Sequence, residues 1–182
     1  MHHPFPRYVN PYLGELLHMV QLDKRFVKGS GAWLWDDEGN RYLDFIAAYG
    51  ALPFGFNPPR IWEALEQVRQ AGEPSFIQPS YLDAAGQLAA KLIELTNGDL
   101  EFVTFTNSGA ESTEAAIKMA RAATGRKRIL ATQNSFHGKT MGALSATGRR
   151  SYQDAFYVPF EGFDFVPYGD VDALRQALEA RP

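Results

Sequence analysis

Phe102-Val103-Thr104-Phe105-Thr106-Asn107-Ser108-Gly109-Ala110-Glu111-Ser112 runs from an apolar, strand-like stretch straight into a helical pattern. A strand that turns through Ser-Gly into a helix gathers backbone N–H groups at one point. The first-turn N–H groups have no intrahelical partners, and the helix dipole favours negative charge there. Such a turn can cradle a dianionic phosphate, and it can equally be an ordinary strand-to-helix turn with a serine cap. Ser108 suits both roles, Gly109 lets a backbone approach closely, and Glu111 stands at the capping-box position.

Outward from this turn the chain alternates. Strand 102–106, helix 109–124 ended by Gly125, strand 128–132, short helix 139–146, strand 163–167 and helix 171–180 follow in order. Alternating strands and helices imply a parallel sheet with right-handed crossovers. In helix 109–124, Ala115, Ala116, Ile117, Met119, Ala120 and Ala123 are expected to pack, with Lys118 and Arg121 facing outward. Upstream, a helical pattern covers 12–22, and Ala32–Trp35 with Tyr42–Phe45 reads as a β-hairpin around Asp36-Asp37-Glu38-Gly39-Asn40. Residues 50–59 read as loop. Proline opens a helix at 59–70, and a second helix runs from 81 to 95 with Ser80 as its expected N-cap and Asp83 completing a capping box. The expected organisation is α/β in class: a mixed α+β segment over 1–70, followed by parallel βα units over 71–182.

In an open parallel sheet, ligands sit beyond the carboxyl ends of the strands. A second such end carries Asn134-Ser135-Phe136-His137-Gly138. Phe136 can serve as core and His137 as a loop histidine. On the same rim as a phosphate cradle, they can instead present a flat ring to a phosphorylated aromatic ligand. Gly138-Lys139-Thr140 imitates the end of a nucleotide-binding P-loop, but Gln133 stands where the first glycine is required. No G-x-G-x-x-G follows a strand and no G-x-S-x-G is present, so dinucleotide binding and a hydrolase elbow lack support.

The 182 residues are 45% hydrophobic, with a formal net charge of −3 and no cysteine. That composition supports a buried core, excludes thiol chemistry, and argues against nucleic acid or an anionic membrane as partner. The histidines have no metal-binding spacing. A cytoplasmic location is expected.

Asn107-Ser108-Gly109-Ala110-Glu111-Ser112-x-Glu114-Ala115-Ala116-Ile117-Lys118, followed by Phe136-His137-Gly138-Lys139-Thr140-x-Gly142-Ala143-Leu144-Ser145-Ala146-Thr147-Gly148, resembles the class III aminotransferases, pyridoxal-phosphate (PLP) enzymes of fold type I. Gly31 to Phe45 looks like the family's N-terminal β-meander, and the second block together with 159–170 is similar to the putrescine/ornithine branch. The resemblance implies the N-terminal part of a fold type I PLP-dependent transferase. Its activity would move an amino group from an ω-amine, diamine or ornithine-like donor to a 2-oxo acid, as a homodimer. It assigns Ser108, Gly109 and Ala110 to the PLP phosphate, Phe136 to the face of the pyridine ring and His137 to its edge. Tyr49, Phe54 and Gln78 fall in segments that line the family's substrate entrance. Many relatives carry Ser or Thr at Ala110, so one hydroxyl contact is absent.

The resemblance also implies what these residues lack. The family's Schiff-base lysine, the aspartate at the pyridine nitrogen and the arginine for the 2-oxo acid all follow the equivalent of Pro182. The six lysines here, 24, 28, 91, 118, 127 and 139, stand in other contexts. The 182 residues alone are therefore expected to be inactive and to be an excerpt of a longer polypeptide. The family's topology also separates strand 102–106 from 128–132, which leaves strand edges unpaired. The alternatives are another class III PLP activity (aminomutase, racemase or decarboxylase) or a non-catalytic fragment acting as an interaction module.

Overall fold

Two prolines start the chain's first two helices, α1 (Pro4–Tyr8) and α2 (Pro11–Met19), where a missing N–H costs nothing. Asn10 caps α2, its Oδ1 accepting from the Leu13 N–H at 3.0 Å. The computed structural model describes residues 3–180 apart from 75, 76 and 78. The chain divides into two units, 1–80 and 81–182.

In the first unit, β1 (Phe26–Ser30), β2 (Trp33–Asp36) and β3 (Arg41–Leu43) form an antiparallel meander in the order β1-β2-β3. The expected hairpin is β2–β3, with Trp33 opposite Leu43 and Trp35 opposite Arg41. Strand β1 adds a third strand to the expected hairpin. Gly29 is there for room: a Cβ would stand 2.9 Å from Phe56 Cβ.

Asp36, 3% exposed, organises the hairpin turn. Its carboxylate accepts from the Glu38 N–H (3.1 Å), the Asn40 N–H (2.8 Å), Asn40 Nδ2 (3.0 Å) and the Tyr42 hydroxyl (2.7 Å). Burial pushes this carboxyl up, but the donors from Asn40, Tyr42 and Glu38 outweigh it and hold it at about 2. An unfolded aspartate titrates near ~3.9. Asp36 therefore contributes stability above that value and loses it as pH falls toward about 2. Asp36→Asn should flatten the acid limb of the stability profile between those two pH values, measured by denaturant unfolding across pH.

After β3, Ala47, Ala48 and Tyr49 take left-handed φ values of 47°, 50° and 58° inside the short α3 (Ala47–Gly50). Asp44 Oδ1 steadies this turn by accepting from the Ile46 and Ala47 N–H groups at 2.8 and 3.0 Å. Helix α4 (Pro59–Ala71) ends on Gly72 at φ 67°.

The second unit opens with α5 (Asp83–Leu95). Leu82, not Ser80, occupies the N-cap position, and no side chain caps it. Ser80 lies three residues before the first helical residue, so the expected capping box does not form. Residues 101–106 are not a strand: among the described residues they join no ladder, and Phe102 is 87% exposed. An apolar run is a strand only when a neighbour pairs with it. Helix α6 (Gly109–Thr124) follows, capped by Ser108 and stopped by Gly125 at φ 68°.

Strand β4 (Ile129–Thr132) leads through α7 (Met141–Ala146), α8 (Arg150–Gln153) and a 3₁₀ turn (Asp154–Phe156) to β5 (Phe163–Val166). Strands β4 and β5 pair in parallel, Ile129 opposite Phe163 and Thr132 opposite Val166. Helix α9 (Val171–Ala180) is tied to this sheet by Arg128. Its Nε binds Asp164 Oδ2 at 2.6 Å and its Nη1 donates to Ala177 O at 2.5 Å.

The core of the unit joins Ile117 of α6 to Ala146 and Phe163. Ala116, Met119, Ala120 and Ala123, also expected to pack, are exposed instead, Met119 by 50%. Arg121, expected to face outward, folds inward instead. Its Nε donates to Lys127 O at 2.9 Å and its guanidinium lies 5.1 Å from the Phe163 ring centroid. A planar cation on an aromatic face keeps much of its favourable environment without full hydration.

Candidate functional site

The α6 N-terminus presents three free donors. Ser108 is extended (φ −156°, ψ 159°) and its Oγ accepts from the Glu111 N–H at 3.2 Å. Glu111 Oε2 accepts from the Asn107 N–H at 2.6 Å, a helix-start role for that carboxylate. The first helical bond runs from the Ser112 N–H to Ser108 O at 3.0 Å. Among the described residues, the N–H groups of Ser108, Gly109 and Ala110 therefore have no partner. A Cβ built at Gly109 meets nothing within 4 Å, so the space over this turn is open.

The second expected segment lies against the first. Gly138 has φ +129° and is buried, and a Cβ there would stand 2.6 Å from Ala110 Cβ and 2.9 Å from Ala110 Cα. Only a glycine permits this approach, and the approach brings the Phe136-His137-Gly138 turn onto the first turn of α6. Phe136 keeps 58% of its surface exposed, and the Tyr152 ring stands perpendicular to it with centroids 6.4 Å apart. The ring is thus braced on one side and still offers surface to a ligand.

The backbone of His137 is held at both ends. Its N–H donates to Thr147 Oγ1 at 3.0 Å, and its carbonyl accepts from Thr113 Oγ1 at 3.1 Å. Thr147 is fully buried and also donates to Ala143 O at 3.0 Å. Glu114, next to Thr113 on α6, accepts from the Gly142 and Ala143 N–H groups at 2.8 and 3.1 Å. The Thr140 hydroxyl is the largest influence on its carboxyl; burial opposes it, but with the two N–H groups the donors keep the carboxyl below its ordinary range. Thr113 carries no signal in a local sequence reading, and Glu114 and Thr147 stand there as letters of the family motif with no role attached. Their one trace is Gly142, where a Cβ would stand 2.2 Å from Glu114 Oε2.

The structure thus brings Ser108, Gly109, Ala110, Phe136 and His137 together within the 81–182 unit. Tyr49 and Phe54 belong to the 1–80 unit and are 98% and 74% exposed. Gln78 lies outside the described residues. A separate cleft lined by Gln133, Asn134, Arg149, Arg150 and Asp164 includes none of the five. Among the described residues, no group of three His, Asp or Glu side chains is placed to hold a metal ion. No helix among them is long and apolar enough to cross a membrane.

The aminotransferase class-III family profile matches residues 18–181. The chain belongs to the class III aminotransferases. It is 42% identical over 154 residues to the acetylornithine aminotransferase of Methanopyrus kandleri, covering 84% of this chain and 39% of that protein. Over 175 residues it is 39% identical to the aminotransferase PigE of a Serratia species, covering 96% of this chain and 20% of PigE. The ornithine aminotransferase of Toxoplasma gondii, whose structure has partial occupancy of PLP at its active site, superposes with a TM-score of 0.76. The identity is 30%, with 86% of this chain and 38% of that one covered. The fold is that of the fold type I PLP enzymes. The chain spans between a fifth and about two fifths of the length of the curated relatives it matches.

Proposed function

We propose that this chain supplies the phosphate-and-ring half of a PLP site in an aminotransferase acting on ω-amines, diamines or ornithine-like donors. The acceptor is a 2-oxo acid. The observation that carries this reading is the close approach of Gly138 to Ala110, which brings the turn carrying Phe136 against the helix start with three unpartnered N–H groups. The residues fit the group: the donors match a phosphate dianion and Phe136 matches a flat pyridine ring. Bound there, PLP supplies an electron-poor ring able to take up the electron pair released at the amine carbon.

In this reading the Ser108, Gly109 and Ala110 N–H groups bind the phosphate, Phe136 orients the ring and His137 borders it. Ala110 offers its backbone donor without the hydroxyl of a Ser or Thr. Tyr49, Phe54 and Gln78 belong to the substrate entrance. The domain boundary falls near residue 70, and the protein works as a homodimer in the cytoplasm. The relatedness to acetylornithine and ornithine aminotransferases supports the donor class.

The same reading predicts that the 182 residues alone do not transaminate. A transaminase lysine bonds the cofactor and moves a proton at the substrate carbon. None of the six lysines lies among the residues that hold the ring and phosphate. Purified 1–182, given PLP, a diamine and a 2-oxo acid, should show no turnover above the protein-free rate. Product amino acid accumulating with protein concentration would overturn this.

A further inference from the structure

We propose that Glu114 is a positioning residue for the cofactor. It sets the spacing between the phosphate turn at 108–110 and the ring-stacking turn at 136–138, and this role rests on the PLP reading above. Glu114 stands on α6 just after the turn that offers the free N–H groups. Its Oε1 grips the start of α7 through the Gly142 and Ala143 N–H groups at 2.8 and 3.1 Å. Thr113, one residue earlier, shares its single hydroxyl proton between Gly109 O at 3.0 Å on its own helix and the His137 carbonyl at 3.1 Å. Two consecutive residues of one helix therefore hold both ends of the 137–143 segment. Neither side chain is among the groups assigned to the phosphate or the ring.

The chemistry favours a carboxylate for this task. One oxygen accepts two adjacent N–H groups at a helix start, where negative charge is stabilised by the helix dipole. Gly142 leaves the carboxylate its room, since a Cβ there would stand 2.2 Å from Oε2. The grip acts on separation. Inorganic phosphate uses the 108–110 turn alone, whereas a phosphorylated pyridine must meet that turn and Phe136 at once.

The experiment compares two probes on the protein: pyridoxamine phosphate, which forms no covalent bond to lysine, and inorganic phosphate. Glu114→Ala should weaken pyridoxamine phosphate by about tenfold, the scale of one lost hydrogen bond. Inorganic phosphate should change by less than about threefold, because its donors lie on α6 itself. Glu114→Gln keeps the accepting oxygen and should restore most of the affinity and the near-ultraviolet dichroism of the bound ring. Should Glu114→Ala fail to fold, Thr113→Val tests the same grip and should weaken pyridoxamine phosphate selectively in the same direction. Equal weakening of both probes, or no change in either, would overturn the positioning role. A wild-type protein that binds phosphate but not pyridoxamine phosphate would overturn the PLP reading itself, and this proposal with it.

Discussion

Gly138→Ala is expected to cost about 3 kcal/mol or more in stability and to abolish cofactor binding, the sum of backbone strain and overpacking. At φ +129° an L side chain is strained before any contact is counted. The new methyl would then lie 2.6 Å from Ala110 Cβ and 2.9 Å from its Cα, and backbone cannot yield as a flexible side chain can. Relief requires the 136–138 turn to leave α6, and that separates Phe136 from the 108–110 donors. Thermal unfolding and a PLP titration read the two effects independently. Unchanged PLP affinity in a folded Gly138→Ala protein would show that the contact does not set the site.

Thr147→Val should produce the second large effect, about 2 kcal/mol of destabilisation with almost no change in volume. The Thr147 hydroxyl is fully buried and connects three backbone groups. It accepts from the His137 N–H at 3.0 Å and donates toward Ala143 O at 3.0 Å and Gly138 O at 3.3 Å. Valine fills the space but leaves the His137 N–H without its acceptor, so the penalty is that of desolvated polar groups. The Thr147 carbonyl is also held by Gln153 Nε2 at 2.6 Å, so the residue cannot swing out to water. Thr147→Ser keeps the hydroxyl and should recover most of the loss in denaturant unfolding. Equal loss in the Ser and Val variants would assign the effect to the methyl group instead.

Local chemistry made parts of this chain legible and long-range chemistry hid the rest. Helix α6 reads correctly at both ends because Ser108 caps it and Gly125 terminates it at positive φ, two signals contained in single residues. The β2–β3 hairpin reads correctly because apolar runs flank a turn rich in Asp, Gly and Asn. Strand β1 escaped because Gly29 answers to Phe56, far along the chain. Residues 102–106 misled because their composition favours a strand while the strand itself depends on a partner. Ser80 misled because capping residues mark a helix start only to within a few positions. Arg121 was placed outward by charge, yet Phe163 and the Lys127 carbonyl gave it an inward site.

The site divides in the same way. Its ligand-facing residues, Ser108 to Ala110 and Phe136 with His137, belong to contiguous motifs and were named from them. The roles of its supports do not read from those motifs, although Glu114 and Thr147 stand in them, because Thr113 reaches across 24 residues to His137 O and Glu114 across 28 to the Gly142 N–H. No periodicity records a pairing between segments so far apart.

The most direct measurement is a fluorescence titration of the protein with PLP, repeated in the presence of inorganic phosphate and with Phe136→Ala. Saturable PLP binding that phosphate displaces is predicted. Phe136→Ala should weaken PLP about tenfold, the scale of one lost aromatic stacking contact, and leave phosphate affinity unchanged. PLP binding that is indifferent to both phosphate and Phe136→Ala would contradict the assignment of these two turns to the cofactor.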